Sequence, residues 1–317
     1  MPDFPDPPLS PAARAAVERV GASAEYRLLA EETAADGVRR VARGRVESAL
    51  IQLRRKSERD LPTAVHEARK DLKKLRSLLR LVRDALGRKR YHAENARYRD
   101  AARLLAGSRD AEVKLETLLG LRRRFGSELP AAAGLEGALR AEREQLSGAV
   151  DEPRLRGQLE QAAAAIELGR AAIDDWRLDA SGWKLLRPGL ERSYRRGRER
   201  LAVVRSDPSV EAIHEWRKGV KDLWYQLRLL RESWPEVLSA TADQAHELAD
   251  LLGDHHDLSV LGEAVQAHAD GAERDTLLVL IERRQLELLE RALPLGARLY
   301  AEEPRRFATR LGVYWRV

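Results

Sequence analysis

Two stretches of the chain, 148 positions apart, carry the same pattern of histidine, arginine, lysine and leucine, and this repetition constrains the fold more than anything else in the sequence. The eighteen residues from His66 to Arg83 align with those from His214 to Arg231 at ten identical positions. A second pair of segments, Leu104–Asp110 and Leu251–Asp257, aligns at an offset of 147. Two signals at nearly one offset predict a duplicated fold, one copy over about residues 20–150 and the other over about 155–300. Asp151-Glu152-Pro153 is the expected boundary and residues 301–317 the expected C-terminal helix and tail. Residues 1–19, rich in proline and acids, read as a disordered, polyproline-like arm.

After Pro11 the dominant residues are Ala, Leu, Arg and Glu, and runs of β-branched and aromatic residues are missing, so the expected fold class is all-α. Breaks are expected at Pro62, Gly87, Gly126 to Pro130, Asp151 to Pro153, Arg187-Pro188-Gly189, Asp207-Pro208, Trp234-Pro235, Gly271 and Pro294. They divide the chain into eight to ten helices, as in stacked bundles. Apolar residues at 44% and charged residues at 34% suit a globular chain rather than a disordered one. Zero cysteines exclude disulfides and thiolate chemistry. No apolar run reaches 18 residues and no secretory leader opens the sequence, so a cytoplasmic, membrane-free protein is expected.

The formal net charge is only +6, so what matters is where the cations sit. On a helix, Val65, Ala68, Leu72, Leu75, Leu79, Val82 and Leu86 form one apolar stripe. Beside it lie His66, Arg69, Lys73, Arg76, Arg80 and Arg83, adjoined by Lys70, while Glu67 and Asp71 fall on other faces. His214, Arg217, Lys221, Arg228 and Arg231, adjoined by Lys218, repeat the stripe, with Trp224 in the place of Arg76. Each stripe is about 25 Å long. A solvated helix face normally interleaves acids, because like charges four residues apart repel. A stripe without acids, kept twice and bordering an apolar seam, predicts half-buried cations that await a long polyanion.

The two histidines read either as helix caps or as phosphate ligands, with phosphoacceptor and metal-ligand roles as further alternatives. His255-His256-Asp257 has the wrong spacing for a helical metal pair, and no metal or cofactor is expected. Asp110 and Asp257 are expected to end helices or hold a basic residue. Arg39, Arg40, Arg43 and Arg45 precede the first stripe, and Tyr194, Arg195, Arg196, Arg198 and Arg200 precede the second; they either complete a basic groove or face solvent. The sequence contains no Walker A, G-x-S-x-G or H-E-x-x-H motif, so catalysis is not expected. Low aromatic content, 5%, argues against widespread base stacking, although nucleic acid needs the same phosphate-binding cations and remains the competing partner.

These residues resemble the CHAD family, the conserved-histidine α-helical domain, whose hallmark is a paired helix opening H-x-x-R-K/V-x-x-K/R-x-x-R. His66, Arg69, Lys70, Lys73 and Arg76 fit the first copy; His214, Arg217, Lys218 and Lys221 fit the second. Arg109-Asp110 and the variant His256-Asp257 are similar to the family's R-D element, and Leu299 to Trp315 to its usual C-terminus. The resemblance covers about residues 20–317. It implies two four-helix bundles related by a pseudo-twofold axis, a basic central pore or groove, and binding of inorganic polyphosphate at polyphosphate granules. A CYTH-type E-x-E-x-K signature is absent, which implies a stand-alone binding module. Trp224 and His256 depart from the family pattern, so the second copy is expected to bind differently.

Overall fold

The computed structural model describes residues 25–57, 59–105, 110–147 and 152–315, so the expected N-terminal arm lies outside the described residues. Within them every regular element is helical, and there are twelve α-helices. In chain order they are α1 (Ala34–Ile51), α2 (Leu61–Leu81), α3 (Arg83–Leu86), α4 (Arg88–Leu104), α5 (Asp110–Phe125) and α6 (Ala133–Ser147). The remainder are α7 (Glu152–Ile173), α8 (Trp183–Ser206), α9 (Val210–Leu230), α10 (Pro235–His268), α11 (Gly271–Leu299) and α12 (Pro304–Tyr314).

Punctuation in the sequence sets most of these boundaries. Asp60 caps α2 by accepting from the Thr63 amide, with Pro62 in the first turn, and Ser209 caps α9 by accepting from the Ala212 amide. Gly87, Gly126 and Gly271 adopt positive φ at turns that an L side chain would strain. Two expected breaks do not occur: Pro188 lies inside α8 and Pro294 inside α11. Each is followed by a glycine that lets another element come unusually close. A Cβ on Gly189 would sit 1.8 Å from the Leu81 carbonyl oxygen, and one on Gly296 would sit 2.4 Å from the Trp216 indole. Close packing at these points outweighs the one backbone hydrogen bond each proline removes.

Helix α1 lies against α2, α2 against α4, α4 against α7 and α7 against α1. In the second half α8 lies against α9, α9 against α10, α10 against α11 and α11 against α8. One apolar core runs through both sets, and α2 meets α8 and α9 where they join. All seven apolar positions expected to face the core from the first motif are buried, from Val65 to Leu86. The stretch that is α4 and α5 in the first half is the single 34-residue α10 in the second.

Candidate functional site

Helices α2, α9 and α10 enclose a cleft of about 640 Å³. Helix α2 sends His66, Lys70, Lys73 and Lys74 into it; α9 sends Lys221, Trp224, Tyr225 and Arg228, and Arg231 follows from the turn just after α9. Spacings of three and four residues put each set on one helix face, next to the stripe that the core buries. The α10 wall carries Asp243, His246 and Asp250, with His246 Nδ1 2.7 Å from the Asp250 carboxylate. Six cations therefore confront two carboxylates in one space.

Lys74, not singled out from sequence, is the innermost of these cations, with 13% of its side chain exposed. Burial pushes its pKa down; Asp71, 3.4 Å away, opposes this, while Arg45 and Arg228 reinforce it. Trp224 is part of the wall: it stacks on Tyr225 with ring centroids 4.6 Å apart, approaches His246 at 4.2 Å, and lies under the Arg228 guanidinium at 5.3 Å.

The remaining stripe residues go elsewhere. Arg69 donates to the Leu105 carbonyl at 3.4 Å, and Arg76 donates to Asn95 on α4 at 3.1 Å. Burial pushes the Arg76 guanidinium down to about 10, which leaves it a cation at neutral pH. Arg80 and Arg83 turn toward a recess of about 10 Å³, room for about one water, where α2 and α9 meet α8. Arg80 Nη1 donates to Asp222 at 2.7 Å, Arg83 lies over the Tyr91 ring at 5.0 Å, and Arg192, Arg196 and Arg200 of α8 close the rim. The stripes are thus free of acids along the sequence but not in space. Glu67 pairs with Lys70 at 2.8 Å, Asp71 with Arg45 at 2.8 Å, and Glu215 with Lys218.

Neither motif histidine is a cap, because Asp60 and Ser209 hold those places five or six residues earlier. His66 opens onto the cleft with 37% of its side chain exposed. His214 packs its ring against His256 at 4.5 Å, with Arg217 alongside. Burial, then Lys218, His256 and Arg217, hold His214 below the usual histidine range; burial and Arg217 do the same for His256. His214 Nδ1, His256 Nδ1 and Arg217 Nε are buried without a hydrogen-bond partner. Asp257 lies inside α10 and ends no helix, and Asp110 begins α5. Arg109 and Gly107 fall outside the described residues, as does the side chain of Asp110. Gly253 lies inside α10, and its bare face leaves Arg217 Nε 3.6 Å from where a Cβ would stand.

The weaker candidates upstream do not complete the cleft. Arg39 donates to the Trp176 carbonyl and pairs with Asp36, Arg40 pairs with Glu32, and Arg43 pairs with Asp174. Tyr194 is a core residue stacked on Phe307, donating to the Leu299 carbonyl. Arg195 pairs with Glu191 and Arg198 with Glu303. Local acids that the helical wheel of one segment cannot reveal take up these cations. Among the described residues no three His, Cys, Asp or Glu side chains converge as a metal set would, and no helix is long and apolar enough to cross a membrane.

The chain is all-helical among its described residues, and its two matching helices point cations into one cleft. Residues 44–266 match the family model of the CHAD domain, and the chain belongs to that family. No curated protein matches the sequence.

Proposed function

We propose that this protein binds inorganic polyphosphate, without turning it over, in the cleft between α2, α9 and α10. The observation that carries the reading is the convergence of Lys70, Lys73, Lys74, Lys221, Arg228 and Arg231 from both motif helices on one space of about 640 Å³. Lys73 is exposed and the other five are partly buried; like charges at this density repel one another, and a flexible polyanion relieves that repulsion along its whole length. Membership of the CHAD family supports polyphosphate as the polymer.

In this reading α1, α2, α4 and α7 form one four-helix bundle and α8 to α11 a second, related by a pseudo-twofold axis at the crossing of α2 and α9; because α7 spans Glu152–Ile173, the first bundle runs past the boundary expected at Asp151-Glu152-Pro153. The two closed rings of helix contacts support it. The cleft is then the basic groove between bundles, and the protein a granule-associated, cytoplasmic binding module. His214, Arg217 and His256 form a further contact point for phosphate at the start of α9.

The carboxylates of α10 favour a thin, single polyanion over a duplex, since Asp243 and Asp250 repel a second strand. A labelled long-chain polyphosphate should bind, and DNA or RNA at equal phosphate concentration should fail to displace it. Equal displacement by nucleic acid defeats the polyphosphate assignment, and release of orthophosphate in the presence of Mg²⁺ or Mn²⁺ defeats the non-enzymatic one.

A further inference from the structure

The recess and the cleft are built from aligned positions of the two motif copies. Arg80, Arg83 and Tyr91 line the recess with Asp222. The residues 148 positions away, Arg228, Arg231 and Ser239, line the cleft with Lys74. In both places one arginine comes from the last turn of a motif helix, the second from just beyond its end, and the fourth residue from the middle of the other motif helix. The spaces differ sharply, at about 10 Å³ against about 640 Å³.

Two exchanges account for much of the difference. Tyr91 places a ring under Arg83, where Ser239 leaves the corresponding arginine uncovered on that side. Asp222 presents a carboxylate, 20% exposed, that accepts from Arg80 at 2.7 Å; burial pushes its pKa up, and the field of Arg80, Arg76, Arg200 and Arg196 opposes that shift. Lys74 presents a cation to Arg228 instead. The bond Arg80 makes to the Asp222 carboxylate is the kind it would make to a phosphate oxygen. Ser77 ties this part of α9 to α2, its hydroxyl donating to the Asp222 main-chain carbonyl at 3.2 Å.

We propose that Asp222 is a resident anion: its carboxylate fills the one of two equivalent anion seats that faces α8, and so confines a polyphosphate chain to the α2–α9–α10 side. The inference rests on the polyphosphate reading and adds to it the side and number of seats. Vacating the seat should make it bind from solution. In Asp222→Ala, the guanidiniums lose their carboxylate and gain its volume. Tripolyphosphate, followed by titration calorimetry, should bind at one equivalent per wild-type chain and at two per Asp222→Ala chain. Orthophosphate should raise the melting temperature of the variant by several degrees more than that of the wild type.

A converse variant keeps the test sound if Asp222→Ala does not fold. Lys74→Asp places a resident carboxylate in the open cleft and should weaken tripolyphosphate at least tenfold more than Lys74→Gln does. A wild-type chain that binds no tripolyphosphate overturns the functional reading, and this inference with it. A wild type that binds one equivalent, with Asp222→Ala still binding one and gaining no extra thermal shift from orthophosphate, overturns the Asp222 inference alone. Where only the lysine variants fold, equal losses in Lys74→Asp and Lys74→Gln overturn it.

Discussion

In the first copy of the motif the inward acid is Asp71, 5% exposed and bonded to Arg45 of α1 at 2.8 Å; in the second it is Asp222, one turn further along the aligned frame and bonded to Arg80 across the helix crossing. That displacement decides what each set of cations can do. Arg45 and Asp71 close an internal pair on the core side of α2, Lys74 lies 3.4 Å from the same carboxylate, and Lys73, Lys221 and Arg228 line the cleft beside them. Asp222, by contrast, sits between the motif helices and engages Arg80, while Asp84 and Glu215 hold Arg192 and Arg200 at the rim of the recess. The aligned cations thus line an open cleft on one side and a closed recess beside Asp222 on the other. The lesson is that a basic helix is a binding surface only where the neighbouring helix withholds its acids.

The largest test of this contrast is on stability. Asp71→Ala strands a buried guanidinium and should cost about 3–5 kcal/mol in urea unfolding. Asp222→Ala breaks a pair whose side chains are 24% and 20% exposed, so about 1–3 kcal/mol is expected. An Asp222 variant more damaging than the Asp71 variant would invert the assignment of core pair and site pair. Next comes binding. Lys73→Glu, Lys221→Glu and Arg228→Glu together should weaken polyphosphate about 100-fold or more, whereas Arg83→Gln with Arg196→Gln at the recess should change it less than about threefold. Comparable losses in both sets, measured by titration calorimetry, would erase the distinction between cleft and recess.

A third prediction uses the histidines, which also differ between copies. His255 is 6% exposed and burial holds it near pH 4, below its ordinary 6.5, with His256 adding to the effect. The folded chain therefore keeps it neutral while the unfolded chain takes up a proton. Its contribution to stability is complete above about pH 6.5 and is lost as the pH falls toward 4, about 2 kcal/mol between pH 7 and pH 5. His214 and His256 shift in the same direction and add to the loss. Melting temperatures should fall across that range in the wild type and less in His255→Leu, and bound polyphosphate should flatten the slope by favouring the charged imidazoles. The smallest expected effect is that of Trp224→Arg, which makes the second stripe match the first. It should strengthen polyphosphate binding about threefold, because one added cation is offset by loss of the stacking on Tyr225 that shapes the wall.

Much of the architecture is legible along the chain. The apolar stripe of α2, the caps at Asp60 and Ser209, and the turns at Gly87, Gly126, Asp207-Pro208, Trp234-Pro235 and Gly271 follow from periodicity and backbone chemistry, which are local. Pro188 and Pro294 mislead for the opposite reason: the glycines after them are there for a partner helix far away in sequence. Lys74 carries a faint signal, since the aligned copies differ there as lysine and aspartate. The wall of α10, from Asp243 to Asp250, carries none in the motif itself.

The sequence by itself determined that the chain is helical, that it is internally repeated, and that each copy sets cations beside an apolar seam. It also located the family's paired motif in α2 and α9. Only the tertiary structure decided which of those cations share a space. His66, Lys70, Lys73, Lys221, Arg228 and Arg231 meet in the cleft, while Arg80 and Arg83 meet Asp222, and Arg39, Arg43 and Arg198 meet acids elsewhere. Helical periodicity fixes the direction of a side chain about its own axis, a property of a few neighbouring residues. The charge balance of a cleft depends on what the other helices bring to it, and the packing of the whole core sets that.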